Sequence, residues 1–353
     1  MRRIVHVASG REWRGGQRQT WLLARDLQHS GIDQVLVTAR GSELARRAKA
    51  DGVPVREVTW TMGLDSRAWW AARQEAGRAP AILHAHDGHA VSIAKWASDA
   101  KTPWIVTRRN ATPLRRPASW TSAARVVAIS NAVRQQLLKD GIGTERIVVV
   151  HSGIDLDATR ATPHEDLRAW AQLPNGGTVV VTVAAVTQEK GLDLLPVAVK
   201  ELVKDHDLRW VVIGEGPLRD DLKHLADDWG LADRLVLPGH HPDPVRLLRG
   251  ADLFILPSTS EGLGTSVLDA LALDVPVVAT RSGGVEDILQ NGAGLLTPVG
   301  DAHGLAHAVA RMLGDAELRK RSIEAGRAAL PRFTTAAMAA GMRSVYDSTA
   351  ATR

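Results

Sequence analysis

Two doubly wound α/β domains in tandem are what this sequence predicts, and three observations predict them. Short apolar runs alternate with longer amphipathic stretches along the chain, the pattern of parallel strands joined by crossover helices. The alternation occurs twice, once on each side of His151-Ser-Gly-Ile-Asp155. The 353 residues also exceed what a single core usually holds. The predicted divisions are 1–155, 156–332 and a terminal segment, 333–353.

In the first half, residues 4–8 form the opening strand, and a loop with Gly15 and Gly16 precedes a helix over 17–28. Strands follow at 34–38, 53–58, 81–84, 104–107, 126–129 and 147–150. Helices at 43–51, 66–77 and 131–140 lie between them, the last capped by Ser130. The strand at 81–84 runs into His84-Ala-His86-Asp87-Gly-His89, and the strand at 104–107 into Arg108 and Arg109. Ligands of parallel sheets bind at the carboxyl ends of strands, which is where His86, Arg108 and the glycine pair fall. The second half repeats the scheme with strands at 179–185, 210–213, 235–237, 252–256, 275–279 and 294–296. Its helices are expected at 193–206, 218–229, 245–248, 303–313 and 316–330, with a final helix over 334–350.

Composition narrows the function classes. Hydrophobic residues make up 44% and charged residues 24%, and no apolar run reaches transmembrane length. The amino terminus lacks the apolar core of a signal peptide, so a cytoplasmic location is expected. Without cysteine there is no disulfide, thiolate catalysis or cysteine-bound zinc. Residues 1–165 carry 25 Lys and Arg against 15 Asp and Glu, a balance of +10; the remainder carries 19 against 24, or −5. The basic half therefore suits an anionic partner, either an acceptor phosphate or an anionic membrane face. No nucleic-acid-binding motif accompanies the charge, so nucleic acid is not expected.

The most informative stretch runs from Ser258 to Leu289, STSEGLGTSVLDALALDVPVVATRSGGVEDIL. A buried strand ends before it, Gly262 and Gly264 allow a tight turn, and Thr265 or Ser266 can cap the helix that follows. Backbone N–H groups and the positive end of a helix dipole then face one point, which suits an anion. Glu261 on the loop and Asp269 one turn into the helix can accept hydrogen bonds from the hydroxyls of a diol on either side. A phosphate flanked by two diols is what a nucleotide-sugar presents.

This stretch resembles the signature of the retaining GT-B glycosyltransferases of family 4, in which two glutamates are separated by seven residues. The spacing is kept, with Asp269 in place of the second glutamate. The resemblance covers nearly the whole chain. It implies two Rossmann-like domains facing across a cleft and a C-terminal helix crossing back to the first. It places the donor sugar at Glu261, the ribose at Asp269, the diphosphate at Lys190 and the loop Gly262-Leu263-Gly264-Thr265-Ser266, and the base near Gly239 and His240. Gly15 and Gly16 would approach the diphosphate, and His86 would face the sugar and the mouth of the acceptor site. Lys190 meets the charge that grows on a departing diphosphate. The family's second cationic clamp, an arginine five residues before that lysine, is here Ala185.

Other groupings are weaker. HAHDGH differs from the HxHxDH pattern of binuclear metallohydrolases in the position of its aspartate. The triplets Asp155-Leu-Asp157 and Asp205-His-Asp207 fall at the interdomain segment and at a helix end, so no metal or other cofactor is expected. Arg108 and Arg109 offer guanidinium forks to an acceptor phosphate. The expectation is a retaining, metal-independent hexosyl transfer from a nucleotide-sugar to a cell-envelope glycan or lipid-linked acceptor. It would take place in the cytoplasm or peripherally at the inner membrane face. A nucleotide-sugar isomerase of the same fold and a non-catalytic relative, the latter suggested by Ala185 and Asp269, remain alternatives.

Overall fold

The structure, a computed structural model, describes residues 2–60 and 65–351. They divide into two compact units: one runs to Gly153 and takes in the chain again from Phe333, the other is Ile154–Arg332.

The first unit holds a sheet of seven strands, β1 (Arg3–Ala8), β2 (Gln34–Ala39), β3 (Val55–Val58), β4 (Ala81–Ala85), β5 (Trp104–Arg108), β6 (Arg125–Ala128) and β7 (Ile147–Val149). Their order is β3-β2-β1-β4-β5-β6-β7, and every neighbouring pair is parallel. The residues of β2 and β4 are buried throughout, because helices cover both faces of a parallel sheet and leave no side for water. β1 pairs with both β2 and β4, so the winding reverses between β1 and β4 and opens a crevice at their carboxyl ends. His6 on β1 lies directly opposite His84 on β4.

Five helices connect these strands: α1 (Gly15–His29), α2 (Glu43–Ala50), α3 (Ser66–Ala76), α4 (Gly88–Ala97) and α5 (Asn131–Lys139). Ser130 caps α5 as the sequence predicts, accepting from Val133 N. The sequence predicts no element between His89 and Trp104, whereas the structure has α4 there. Asp87 starts it by accepting from the amides of His89 and Ala90. In HAHDGH the aspartate is thus a helix cap, a role its polar neighbours conceal.

The C-terminal helix, Thr335–Ala351, packs on this same unit. Met338, Ala339, Met342, Val345 and Tyr346 form a stripe at helical spacing that closes on Leu22, Leu23 and Leu27 of α1 and on Ile4, Ile82 and Ile105 of the sheet. At the bottom of this contact the Tyr346 hydroxyl lies 2.8 Å from His84 Nδ1, and His84 Nε2 lies 2.8 Å from Thr107 Oγ1. Burial pushes the tyrosine pKa upward, so the hydroxyl is neutral.

The second unit holds β8 (Thr178–Val183), β9 (Leu208–Ile213), β10 (Leu235–Gly239), β11 (Leu253–Leu256), β12 (Val277–Thr280) and β13 (Leu295–Thr297). Their order is β10-β9-β8-β11-β12-β13, again parallel. Its core is aliphatic around the fully buried Trp210. The indole N–H donates to Thr182 Oγ1 at 3.0 Å, and that hydroxyl donates to the Ile255 carbonyl at 2.9 Å. These bonds join β9, β8 and β11 and satisfy each buried polar atom. The winding reverses between β8 and β11, so the loops after those two strands share a crevice. Among the described residues no helix is long and apolar enough to cross a membrane.

Replacing Tyr346 by Phe keeps the packing of the C-terminal helix but leaves His84 Nδ1 without its buried partner. The expected loss is about 1–3 kcal/mol, seen as a lower urea midpoint at unchanged slope. An unchanged midpoint would mean that the hydroxyl contributes nothing to docking.

Candidate functional site

In the second unit, β8 leads into a 3-10 turn, Gln188–Lys190. The carbonyl of Glu189 accepts from Thr259 N at 2.9 Å and from Ser260 N at 3.3 Å, which ties this turn to the loop after β11. Across the tie, Lys190 Nζ donates to Glu261 Oε1 at 2.6 Å. Ser258 Oγ donates to the same oxygen at 2.7 Å. Thr280 Oγ1 in turn donates to the Ser258 carbonyl and holds the strand end in place. Both donors converge on Oε1, so Oε2 keeps its lone pairs for another hydroxyl.

Gly283 explains how this loop lies so low. Its φ is +56°, and a Cβ built there would sit 1.8 Å from the Glu261 carbonyl oxygen. No L side chain fits that approach. Gly284 N donates to the same carbonyl at 3.3 Å, so the second glycine pair forms a floor beneath Glu261.

The helix Thr265–Ala272 begins otherwise than predicted. Its cap is Gly264, at φ +88° in the left-handed region, and no side chain caps the first turn. Thr265 and Ser266, expected as caps, are the first helical residues instead. The early amides are therefore left open to an anion, which strengthens the dipole argument. Leu263 is buried beneath the turn and Gly262 borders it. Asp269 is buried in the next turn, with 6% of its surface exposed. Lys190, Glu261, the loop 262–266 and Asp269 are thus gathered where β8 and β11 end. Sequence reasoning missed Ser258 and Thr280; the available signal was a hydroxyl residue at or just past the end of a buried strand.

Of the remaining expected donor residues, Gly239 and His240 belong to this second unit, whereas Gly15 and Gly16 lie in the first. Gly239 ends β10, and its carbonyl accepts from Gly214 N at 2.8 Å. His240 is exposed, whereas His241 is buried edge-on to Trp170. Ala185 is exposed at the end of β8 and supplies no cation. The nearby Arg219 donates Nη2 to the Leu237 carbonyl at 2.9 Å.

A second polar cluster occupies the first unit at the β1/β4 reversal. The nitrogens of His6, His84 and His86 lie within 4.8 Å of one another, close enough to hold a cation. Their hydrogen bonds assign the protons. Gln34 donates its amide Nε2 to the Ala24 carbonyl at 2.7 Å, so its Oε1 is the atom facing His6 Nε2 at 3.1 Å. Oε1 only accepts, which puts the His6 proton on Nε2 and leaves Nδ1 as acceptor. His86 Nε2, 2.8 Å from that Nδ1, is then the donor, and His86 Nδ1 accepts from Arg109 Nη2 at 3.2 Å. The lone pairs of His6 and His86 are spent in a one-way chain from guanidinium to glutamine, and Arg109 already supplies a positive charge beside it. Burial, reinforced by Arg109, holds all three imidazoles neutral, His6 at about 4 and the other two well below their ordinary value.

This places the expected acceptor residues. Both ring nitrogens of His86 point into the unit, so its ring offers no free nitrogen to a sugar in this conformation. Arg109 donates to the His86 carbonyl at 2.9 Å and lies beside Thr20 and Gly16 of α1. Gly15 and Gly16 form the first turn of α1, whose cap residue, Arg14, makes no side-chain capping bond. Arg108 donates to the carbonyl and hydroxyl of Thr112 at 2.6 and 3.0 Å, and it stacks over Trp120.

Comparison with known proteins bears on the family and the fold. Glycosyl transferases group 1 match residues 164–329, and glycosyltransferase family 4 matches residues 13–158. The chain is 34% identical over 160 residues to the lipopolysaccharide core biosynthesis glycosyltransferase LpsE of Rhizobium meliloti, covering 45% of this chain and 46% of that protein. It is 31% identical over 295 residues to a D-inositol 3-phosphate glycosyltransferase of Mycobacterium sp. (strain KMS), covering 71% and 64%. The chain spans about half the length of most of these curated relatives. A Rickettsia africae glycosyltransferase structure superposes with a TM-score of 0.85 at 19% identity, covering 100% of this chain and 99% of that one. Anabaena Alr3699/HepE in complex with UDP and glucose superposes with 0.84 at 19%, covering 99% and 100%. That likeness is one of fold, and the fold is GT-B.

The neutral histidine chain carries a pH dependence. His6 binds its proton at about 4 in the folded protein and near 6.5 unfolded. The unfolded chain therefore takes up more protons between those values, and stability falls as pH drops from 6.5 toward 4. The His6 contribution alone is about 3 kcal/mol, fully present above pH 6.5 and lost by pH 4. Urea midpoints measured from pH 7 to pH 5, where carboxylates remain ionised, should already decline. A flat profile would mean that these imidazoles are not buried neutral.

Proposed function

The chain belongs to the group 1 glycosyltransferases, its amino-terminal half to glycosyltransferase family 4, and from that premise we propose that it moves a sugar from a nucleotide-sugar to a cell-envelope glycan or lipid-linked acceptor with retention of configuration. The observation that carries this reading is the junction of Lys190, Ser258 and Glu261 beneath the uncapped first turn of Thr265–Ala272. It combines a cation and open amides for a diphosphate with a positioned carboxylate for sugar hydroxyls.

In this reading the diphosphate rests on the amides of 264–266 and on Lys190, Glu261 Oε2 accepts from a sugar hydroxyl, and Asp269 accepts from the ribose. The base lies beside Gly239 and His240. As the bond between the anomeric carbon and the phosphate oxygen breaks, charge grows on the diphosphate and is met by groups already in position. The acceptor hydroxyl attacks the same face, forms the new carbon–oxygen bond and passes its proton to a phosphate oxygen of the leaving group. The acceptor belongs to the basic first unit. The site needs no metal in this scheme, because a lysine and a helix terminus take the cation's part. The place of action is the cytoplasm, at the inner membrane face.

A screen of UDP-, GDP- and ADP-sugars should identify one donor that raises the melting temperature, since a ligand bound only by the folded state stabilises it. With that donor, Glu261→Gln should remain folded and lose on the order of a hundredfold in kcat. Lys190→Ala should lower kcat more than it weakens donor binding, because the lysine meets most charge in the transition state. Near-normal turnover in folded Glu261→Gln would overturn the assignment. Excess chelator should leave turnover unchanged, and a loss restored by magnesium or manganese would overturn the metal-independent scheme.

A further inference from the structure

The basic excess of the first unit has a second focus, away from Arg109. At the outer end of its sheet, where β2 and β3 finish beside the start of α3, lies a cavity of about 750 Å³ lined by Arg40, Arg56, Glu57, Thr59, Arg67 and Trp70 among others. This volume suits a small ligand such as one or two sugar rings. Arg40 follows β2 directly, and Thr59 follows β3, so the cavity opens on the ligand-binding edge of a parallel sheet. Arg67 and Trp70 are three residues apart on α3 and share a face.

Charge in the cavity is unbalanced. Its one lining carboxylate, Glu57, is already committed, with Oε1 to Lys49 and Oε2 to Gly41 N. Among the described residues, Arg56 reaches only the neutral Gln74, at 3.3 Å. The guanidiniums of Arg40 and Arg67 make, among the described residues, no hydrogen bond or close ion pair, although the charge of Arg40 helps hold Glu57 ionised. The first-turn amides of α3 are satisfied by Asp65, so anion recognition here falls to the arginines. Against them stands Trp70, 59% exposed. The indole and the two guanidiniums give one cavity wall both an aromatic face and positive charge. The indole face meets the C–H side of a sugar ring, while guanidinium forks meet a carboxylate or phosphate in two-pronged fashion.

We propose that this cavity binds an anionic saccharide, with Arg40 and Arg67 holding a carboxylate or phosphate group and Trp70 stacking on the ring that bears it. Given the proposed transfer activity, on which this rests, the cavity would set acceptor choice: the acceptor carries negative charge on a sugar.

Three probes test it by isothermal titration: digalacturonate, trehalose 6-phosphate and, as neutral control, maltose. Binding of either anionic sugar, weakened tenfold or more by Arg40→Ala or Arg67→Ala and severalfold by Trp70→Ala, supports the inference. Which of the two binds tells carboxylate from phosphate. Difference fluorescence between the native protein and Trp70→Phe should show quenching that belongs to Trp70. Equal affinity for maltose, binding of phosphatidylglycerol vesicles without either sugar, or no binding at all would overturn it. Donor-induced stabilisation of the second unit is measured in the same variants. If it is absent while anionic sugar still binds, the transfer reading fails and this inference stands. If donor binding is intact and no sugar binds, the reverse holds.

Discussion

A parallel sheet covered by helices on both faces meets polar ligands only at the ends of its strands. The two polar clusters at the winding reversals follow from that constraint, applied twice. In each unit the winding reverses beside the first strand, between β1 and β4 and between β8 and β11. Two adjacent loops there diverge in opposite directions and leave a polar crevice. The second unit fills its crevice with Lys190, Ser258 and Glu261, and the first fills its own with the histidines and Arg109.

The two crevices solve the problem of buried charge differently. Lys190 and Glu261 remain partly accessible, with side chains 22% and 10% exposed, and each compensates the other. A pair of this kind is costly to break from one side, since the survivor is left poorly solvated. That cost holds the two side chains aligned, and preset charge of this kind is what the proposed transfer would use to meet a departing diphosphate. In the first unit one cation, Arg109, is buried among neutral imidazoles. Burial lowers its pKa to about 10, still well above neutrality. Its charge is spread along oriented hydrogen bonds to His86, His6 and Gln34, so the chain has a polarity fixed by the acceptor-only oxygen at its far end.

The distribution of basic residues takes on meaning in this light. A balance of +10 over residues 1–165 does not identify a site. Arg108 and Arg109 stand at a strand end, yet their guanidiniums serve their own loop and the histidine chain. Arg40 and Arg67 lie in unremarkable sequence, yet they line a cavity and make no hydrogen bond or close ion pair among the described residues. Exposed charge next to an exposed indole is an arrangement that only the pairing of β2 and β3 and the docking of α3 create.

By itself the sequence determined the α/β class and the two-unit order, and it singled out the candidate residues of the second unit that the structure gathers at the ends of β8 and β11. All of these depend on local periodicity and on a compact segment, Glu261 to Asp269, in which spacing along the chain translates directly into proximity. Tertiary structure decided what depends on contacts between distant segments. Ser258 and Thr280 became supports for Glu261 because β11 and β12 are neighbours, and Gly283 became its floor because no side chain fits under that carbonyl. HAHDGH, which in one dimension suggests ligands, divides into interior hydrogen-bond partners and a helix cap because residues two apart along a strand direction face the same layer, whereas Asp87 lies past the strand and starts α4. His86 acquired its proton arrangement from His6, eighty residues earlier, through a pairing of β1 with β4 that no local pattern specifies. Distances of that kind are set by how sheets wind, and winding is a property of the whole chain.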